Sequence, residues 1–248
     1  MLSLLIRIWA RNSGSFEQRF LVNDKGEKIN YNIYKATDNR NKLREIDEVS
    51  QTSEAIWGWN LSRNVNYANQ FDLKILADQN AKYPSGTYTD SIPVRLYSGL
   101  PFNDAVLEDS RTMSISLVIP PEIALSLVDV GSPFDPSDTH QVMDFGELST
   151  GESLEADLKV LSNSGYRVYM ESENKGNLKN TVENSNIKYD LYLNNKKKNL
   201  NKKKKVAEGN NSTPISGDNY RIEVRIGNVS GAKAGTYTDN ITITAEAK

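Results

Sequence analysis

The sequence predicts an all-β protein built as two tandem, sandwich-sized units. Three observations carry this. Apolar and polar residues alternate over short runs, at the period of two that sends every second side chain to one face of a strand. Helical periodicity is essentially absent along the 248 residues. One pentapeptide is written twice, as Gly86-Thr87-Tyr88-Thr89-Asp90 and Gly235-Thr236-Tyr237-Thr238-Asp239, and an alternating run follows each copy.

The repeat extends beyond the pentapeptide. Ile92, Val94 and Leu96 after the first copy answer Ile241, Ile243 and Ala245 after the second. Upstream, Phe71, Leu73, Ile75 and Ala77 answer Tyr220, Ile222, Val224 and Ile226. Tyr31-Asn32-Ile33-Tyr34 answers Tyr189-Asp190-Leu191-Tyr192, and Asn12-Ser13-Gly14 answers Asn163-Ser164-Gly165. Matched blocks in one order indicate a duplicated domain. The chain length suits two sandwiches of roughly 100–130 residues. The second repeat begins well before its Asn-Ser-Gly and the first does not, so the first is expected to lack its opening strands, or the chain to be a fragment.

In chain order, residues 4–10 and 16–22 read as strands joined by a turn-rich link. A turn at 24–27 leads to the strand beginning at Tyr31. Residues 36–54 are polar and weakly patterned, a loop with room for a short helix. Trp57-Gly58-Trp59 is the most aromatic spot; it either plugs one end of a sandwich or forms an exposed adhesive loop. Pro93 removes a ladder donor from the strand after the first pentapeptide, so one side of that strand is expected to pair poorly.

Residues 99–111 read as a linker, dividing the chain into a first unit at 1–98 and a second at 112–248. In residues 112–119, Met113, Ile115, Leu117 and Ile119 share one face until Pro120-Pro121 stops the strand. This strand either completes the first unit from within the chain or opens the second. Opening the second is the favoured role, because that unit otherwise lacks a first strand and local pairing is the rule. Residues 194–217 are rich in lysine, asparagine and serine and read as a flexible inserted loop.

A formal net charge of -2 gives no global pull toward nucleic acid or an anionic membrane. Charge is nevertheless segregated. Residues 101–160 hold twelve acids against Arg111 and Lys159, whereas 196–205 hold seven lysines in ten residues. The absence of cysteine excludes disulfides, thiolate metal sites and cysteine nucleophiles. No run is long enough to span a membrane, and Arg7 cuts short the apolar start, so no signal peptide is read there. The single histidine, His140, stands in a proline-flanked polar loop without the context of a nucleophilic triad. Asp129, Asp135 and Asp138 lack the order of a calcium loop, and no carboxylate pair is singled out for glycoside hydrolysis. No catalytic residue, metal site or cofactor is expected.

Gly-Thr-Tyr-Thr-Asp with an alternating terminal strand resembles the ending of spore coat protein U domains, the pilin modules of archaic chaperone–usher pili. In the second repeat, Met143-Asp144-Phe145-Gly146, Leu158-Lys159-Val160, Ser162-Asn163-Ser164-Gly165-Tyr166 and Ser172-Glu173-Asn174 are similar to that family. In the first, Asn12-Ser13-Gly14-Ser15-Phe16, Tyr31-Asn32-Ile33-Tyr34 and the Trp57-Gly58 step fit it. The resemblance implies secreted immunoglobulin-like sandwiches lacking their final strand. A periplasmic chaperone supplies that strand before a neighbouring subunit replaces it, and an outer-membrane usher exports the product. It implies a non-enzymatic pilus or surface-coat subunit, with a two-domain tip adhesin in attachment and biofilm formation as one form. The cysteine pair of many members is missing here. Tyr237, Ile241 and Ile243 are the expected strand-addition groove, Met113 to Ile119 the donor or first strand, and Trp57 and Trp59 the adhesive loop. The alternatives are a soluble carbohydrate-binding sandwich and a sandwich-fold hydrolase.

Overall fold

The computed structural model describes residues 4–8, 15–36, 38–44, 48–58, 62, 65–78, 82–100 and 103–248. Among these, regular structure is β apart from short 3-10 turns, such as those at Phe16–Gln18 and Thr52–Glu54. Two compact units emerge: Met1–Ala81 with Gly86–Ile119, and Lys82–Ser85 with Pro120–Lys248.

The first unit contains β1 (Leu4–Ile8), β2 (Phe20–Val22), β3 (Lys28–Lys35), β4 (Asp38–Lys42), β5 (Ile56–Gly58), β6 (Phe71–Ile75), β7 (Gly86–Leu100) and β8 (Asn103–Ile119). The strand order is β4-β3-β2-β7-β1-β5, with β6 on β3 and β8 on β7. β3 serves two neighbours in turn, pairing β2 through Lys28–Asn30 and β6 through Tyr31–Lys35. Its inward residues Ile29, Tyr31 and Ile33 are buried with Leu21, Leu43, Tyr88 and Ile92. Arg19 is buried among them, its guanidinium donating to Asn32 Oδ1 and the Leu43 carbonyl at 2.8 Å each. Residues 38–42, read from sequence as loop, form β4; burial of Leu43 draws this polar stretch onto β3.

The linker at 99–111 is not one. β7 runs to Leu100, and β8 returns antiparallel along it from Leu100↔Asn103 to Gly86↔Ile119. Residues 112–119 therefore close the edge of the first unit. The second unit takes its first strand from further on, at Ile123–Val128. Local pairing decides this: a hairpin partner lies next in sequence, and the same alternation that suits a first strand suits a closing one.

The second unit contains β9 (Ile123–Val128), β10 (Ser153–Ser162), β11 (Tyr166–Ser172), β12 (Asn177–Asn180), β13 (Asn186–Leu193), β14 (Lys196–Lys198), β15 (Lys204–Gly209), β16 (Asp218–Ile226), β17 (Tyr237–Thr238) and β18 (Ile241–Ala247). One sheet runs β17-β12-β13-β16-β10-β9 with β14 on β13, and the other β15-β11-β18. The core fills the space between them from alternate positions of β10, β11, β13 and β16, including Leu158, Val160, Tyr166, Val168, Met170, Leu191 and Val224. Asn163 fastens the entry to β9, its side chain accepting from Glu122 N at 2.7 Å and donating to the Pro120 carbonyl at 3.0 Å.

The lysine-rich insertion at 194–217 also departs from the expected loop. Asn194 and Asn195, at φ 48° and 62°, make a tight turn of the type that joins hairpin strands, and β14 pairs back on β13. β15 pairs with β11. Leu200, Val206 and Thr213 are buried. Three residues that the surrounding charge masks thus pin this polar stretch to the core.

Candidate functional site

The duplicated pentapeptide does the same job in each unit. Asp90 accepts from the Tyr31 hydroxyl at 2.6 Å, and Asp239 accepts from the Tyr189 hydroxyl at 2.6 Å. Tyr31 and Tyr189 head the other matched block, so the two repeated motifs are the two halves of one hydrogen bond. Asp239 also takes the Ser172 hydroxyl at 2.5 Å and the Asn174 and Asn240 amides at 2.9 Å. Burial and the facing carboxylate both push the tyrosine hydroxyls well above their ordinary pKa, which keeps them protonated as donors. Gly86 and Gly235 open the two motifs at φ 150° and 140°, a region that side chains disfavour. A Cβ on Gly235 would stand 2.7 Å from Asn180 Nδ2. The pairing of Asp with Tyr was not read from sequence, although both belong to repeated blocks.

The units differ in what lies beside this motif. In the first, β7 carries β2 and β1 on one side and β8 along the whole of the other. Tyr88 faces Leu117, Ile92 faces Met113, and both Tyr88 and Ile92 are fully buried. In the second, the motif breaks at Asp239-Asn240: Tyr237–Thr238 pairs β12, and the chain then crosses to the other sheet as β18. β18 pairs β11 on one side, and among the described residues no strand lies on its other side. Tyr237 and Ile241, which correspond to Tyr88 and Ile92, are only half-buried. Ile241, Ile243 and Ala245 pack on the core from the open edge. Across from them is β9, the terminal strand of the other sheet, presenting half-buried Ile123, Leu125 and Leu127. Half-buried apolar side chains of β18 and β9 thus flank the core beside the outer edge of β18, while the outer side of β9 is partly taken by the Leu127 amide, which donates to the Asp138 carbonyl at 2.8 Å.

The other residues singled out from sequence fall elsewhere. Met113, Ile115, Leu117 and Ile119 are half-buried on β8, while Thr112, Ser114, Ser116 and Val118 alternate with them on the exposed face. Trp57 lies in β5 opposite Leu5, half-buried against Ala55 and Tyr97, so it is part of a packed strand. Trp59, its partner in the expected adhesive loop, lies outside the described residues. His140 is exposed in the loop after β9. Among the described residues no group of three His, Cys, Asp or Glu side chains could hold a metal ion, and no helix is long and apolar enough to cross a membrane.

Residues 142–244 match the family described as Spore Coat Protein U domain. The second unit is thus similar to a spore coat protein U domain over these residues. The match begins just before Met143-Asp144-Phe145-Gly146 and ends within β18, so it covers most of the second sandwich. Comparison with curated proteins finds no match. A chain in the crystal structure of the CsuC–CsuE chaperone–tip adhesion subunit pre-assembly complex, from archaic chaperone-usher Csu pili of Acinetobacter baumannii, is similar in fold. It is 16% identical with a TM-score of 0.48, over 99% of this chain and 85% of that one. A chain of a chaperone–tip adhesin complex of CFA/I fimbriae biogenesis is 13% identical with a TM-score of 0.43, over 98% of this chain and 84% of that one.

Proposed function

We propose that this protein is a secreted, non-enzymatic pilus or surface-coat subunit that assembles by strand addition at the β18 edge of its spore coat protein U domain. The observation that carries the reading is internal to the chain. The same motif has its edge closed by β8 in the first unit and left open in the second. An open edge beside an apolar groove takes an extended strand through main-chain hydrogen bonds, with alternate side chains setting the register. A periplasmic chaperone fills this groove first and a neighbouring subunit fills it afterwards, with an outer-membrane usher between the two stages and the cell surface as the destination. A first unit that supplies its own closing strand accepts no donor, which favours the end of a fibre and an adhesive role in attachment and biofilm formation.

The test uses β8 itself as probe, since its register on β7 can be carried onto β18 through the shared motif. A synthetic peptide of residues 103–119, added to the full chain, is expected to slow amide hydrogen exchange along β18. Ile243→Lys should abolish that protection by placing a charge in the groove. Failure of the peptide to protect β18, or equal protection in the variant, refutes the edge as an acceptor.

A further inference from the structure

The lysine-rich strands β14 and β15 lie on the side of the second unit away from β18. β14 flanks β13 on the side away from β16, and β15 is the terminal strand of the smaller sheet away from β18. The two strands belong to different sheets, and Lys198 ties them together by donating from Nζ to the Val206 carbonyl at 2.9 Å. Residues 191–207 contain seven lysines and no acid. The bracketing carboxylates are already engaged, Asp190 with Lys197 at 2.6 Å and Glu208 with Lys205 at 3.0 Å. Lys196, Lys202, Lys203 and Lys204 are exposed and have no carboxylate within ion-pair distance among the described residues.

The ammonium groups also crowd one another. Burial first, and then the neighbouring charges of Lys196 and Lys204, hold the Lys198 ammonium below its ordinary pKa. Like charges gathered on one edge and left without counter-charge raise the local potential, and a multivalent anion relieves it. The patch is built only of lysine, a point charge that satisfies spaced carboxylates, and it lacks the guanidinium forks suited to phosphate. Two of its rings already carry cations, Tyr169 under Lys203 at 5.3 Å and Tyr192 under Arg225 at 5.2 Å, an arrangement that disfavours stacking of a base.

We infer that the β14–β15 edge is a binding site for a linear acidic polysaccharide, whose carboxylates lie across Lys196, Lys202, Lys203 and Lys204. This site is independent of strand addition and leaves the β18 groove free. Surface charges of this kind act through screened Coulomb attraction, so binding weakens steeply as salt rises.

The test applies the full chain to immobilised alginate, a polyuronate, with neutral dextran, a single-stranded DNA 20-mer and a buffer-only sample as parallel arms. The expected result is retention on alginate and none on dextran, with affinity falling about tenfold or more between about 50 and 300 mM salt. Lys196→Gln, Lys202→Gln, Lys203→Gln and Lys204→Gln combined should abolish retention with the thermal transition unchanged. The four corresponding Lys→Arg changes should preserve it. Lys25→Gln, Lys175→Gln, Lys179→Gln and Lys188→Gln combined, exposed positions elsewhere with the same loss of charge, should retain most of it. Equal loss in both glutamine sets reduces the effect to net charge and overturns the site. Tighter binding of DNA than alginate at equal salt makes it a nucleic-acid edge instead. Salt-sensitive self-association in the buffer-only sample, lost in the hairpin variant, assigns the lysines to a second copy and its acid-rich 112–158 stretch, and likewise overturns the proposal.

Discussion

Replacing Leu117 with aspartate separates the two places to which β8 could belong. Leu117 is half-buried and stands opposite Tyr88, which is fully buried in the first unit. Half-burying a leucine contributes about 1 kcal/mol, and a carboxylate forced into the same apolar position costs about 1–2 kcal/mol more. The sum, about 2–3 kcal/mol, is large for a single substitution. For a unit of this size each kcal/mol moves the melting temperature by about 4 °C, so a fall of about 8–12 °C is expected. The chain supplies its own reporter: Trp9, Trp57 and Trp59 are its three tryptophans, and all belong to the first unit. Tryptophan fluorescence should therefore show the whole shift, while the step that far-UV circular dichroism assigns to the second unit stays in place. Ser116→Asp, on the exposed face of the same strand, should change stability by no more than about 0.5 kcal/mol. An unmoved tryptophan transition with a weakened second unit would refute the assignment of β8 to the edge of β7.

Three further outcomes follow from the same geometry. Tyr31→Phe and Tyr189→Phe each remove a hydrogen bond to a carboxylate, and each should cost about 1.5–3 kcal/mol in its own unit; tryptophan fluorescence should register the first and not the second. Leu200→Ala should cost about 2–4 kcal/mol, and deletion of 194–205 at least as much, measured by chemical denaturation; an unchanged midpoint would mean that the stretch is a solvated loop after all. Asp157 is buried, which alone would raise its pKa, but hydrogen bonds from Arg221, the Gly131 amide and Asn219 outweigh burial and hold the carboxyl below its ordinary range. A depressed folded-state pKa stabilises above the unfolded value of about 3.9 and loses that stabilisation as pH falls through and below it. Asp157→Asn should therefore be less stable than the parent at pH 7, with the gap in urea midpoint closing below about pH 4.

The duplication and the all-β class were legible because both live in short-range patterns. Alternation in Tyr220–Ile226 and Tyr166–Met170 reports directly which side chains face inward, and the structure buries Ile222, Val224, Tyr166, Val168 and Met170. The inward face of β18, with Ile241 and Ile243 packed on the core, was visible for the same reason. What alternation cannot report is the identity of the facing surface. Met113 to Ile119 present one apolar face, and that face suits an edge of either unit equally well; the hairpin from Leu100 back along β7 settles it. The lysine stretch misled for a related reason. Seven charges dominate its composition, yet Leu200 and Val206 decide its path, and a contact made by one or two side chains leaves no periodic trace.

By itself, then, the amino-acid order determined the strands, the duplication and the half-buried faces, since each depends on residues a few positions apart. Tertiary structure alone decided that one copy of Gly-Thr-Tyr-Thr-Asp has its edge covered and the other does not. The pentapeptides are identical, so nothing local distinguishes them. The difference arises from what the chain places beside each: seventeen residues of β8 along the first, and, among the described residues, no strand along the outer edge of the second.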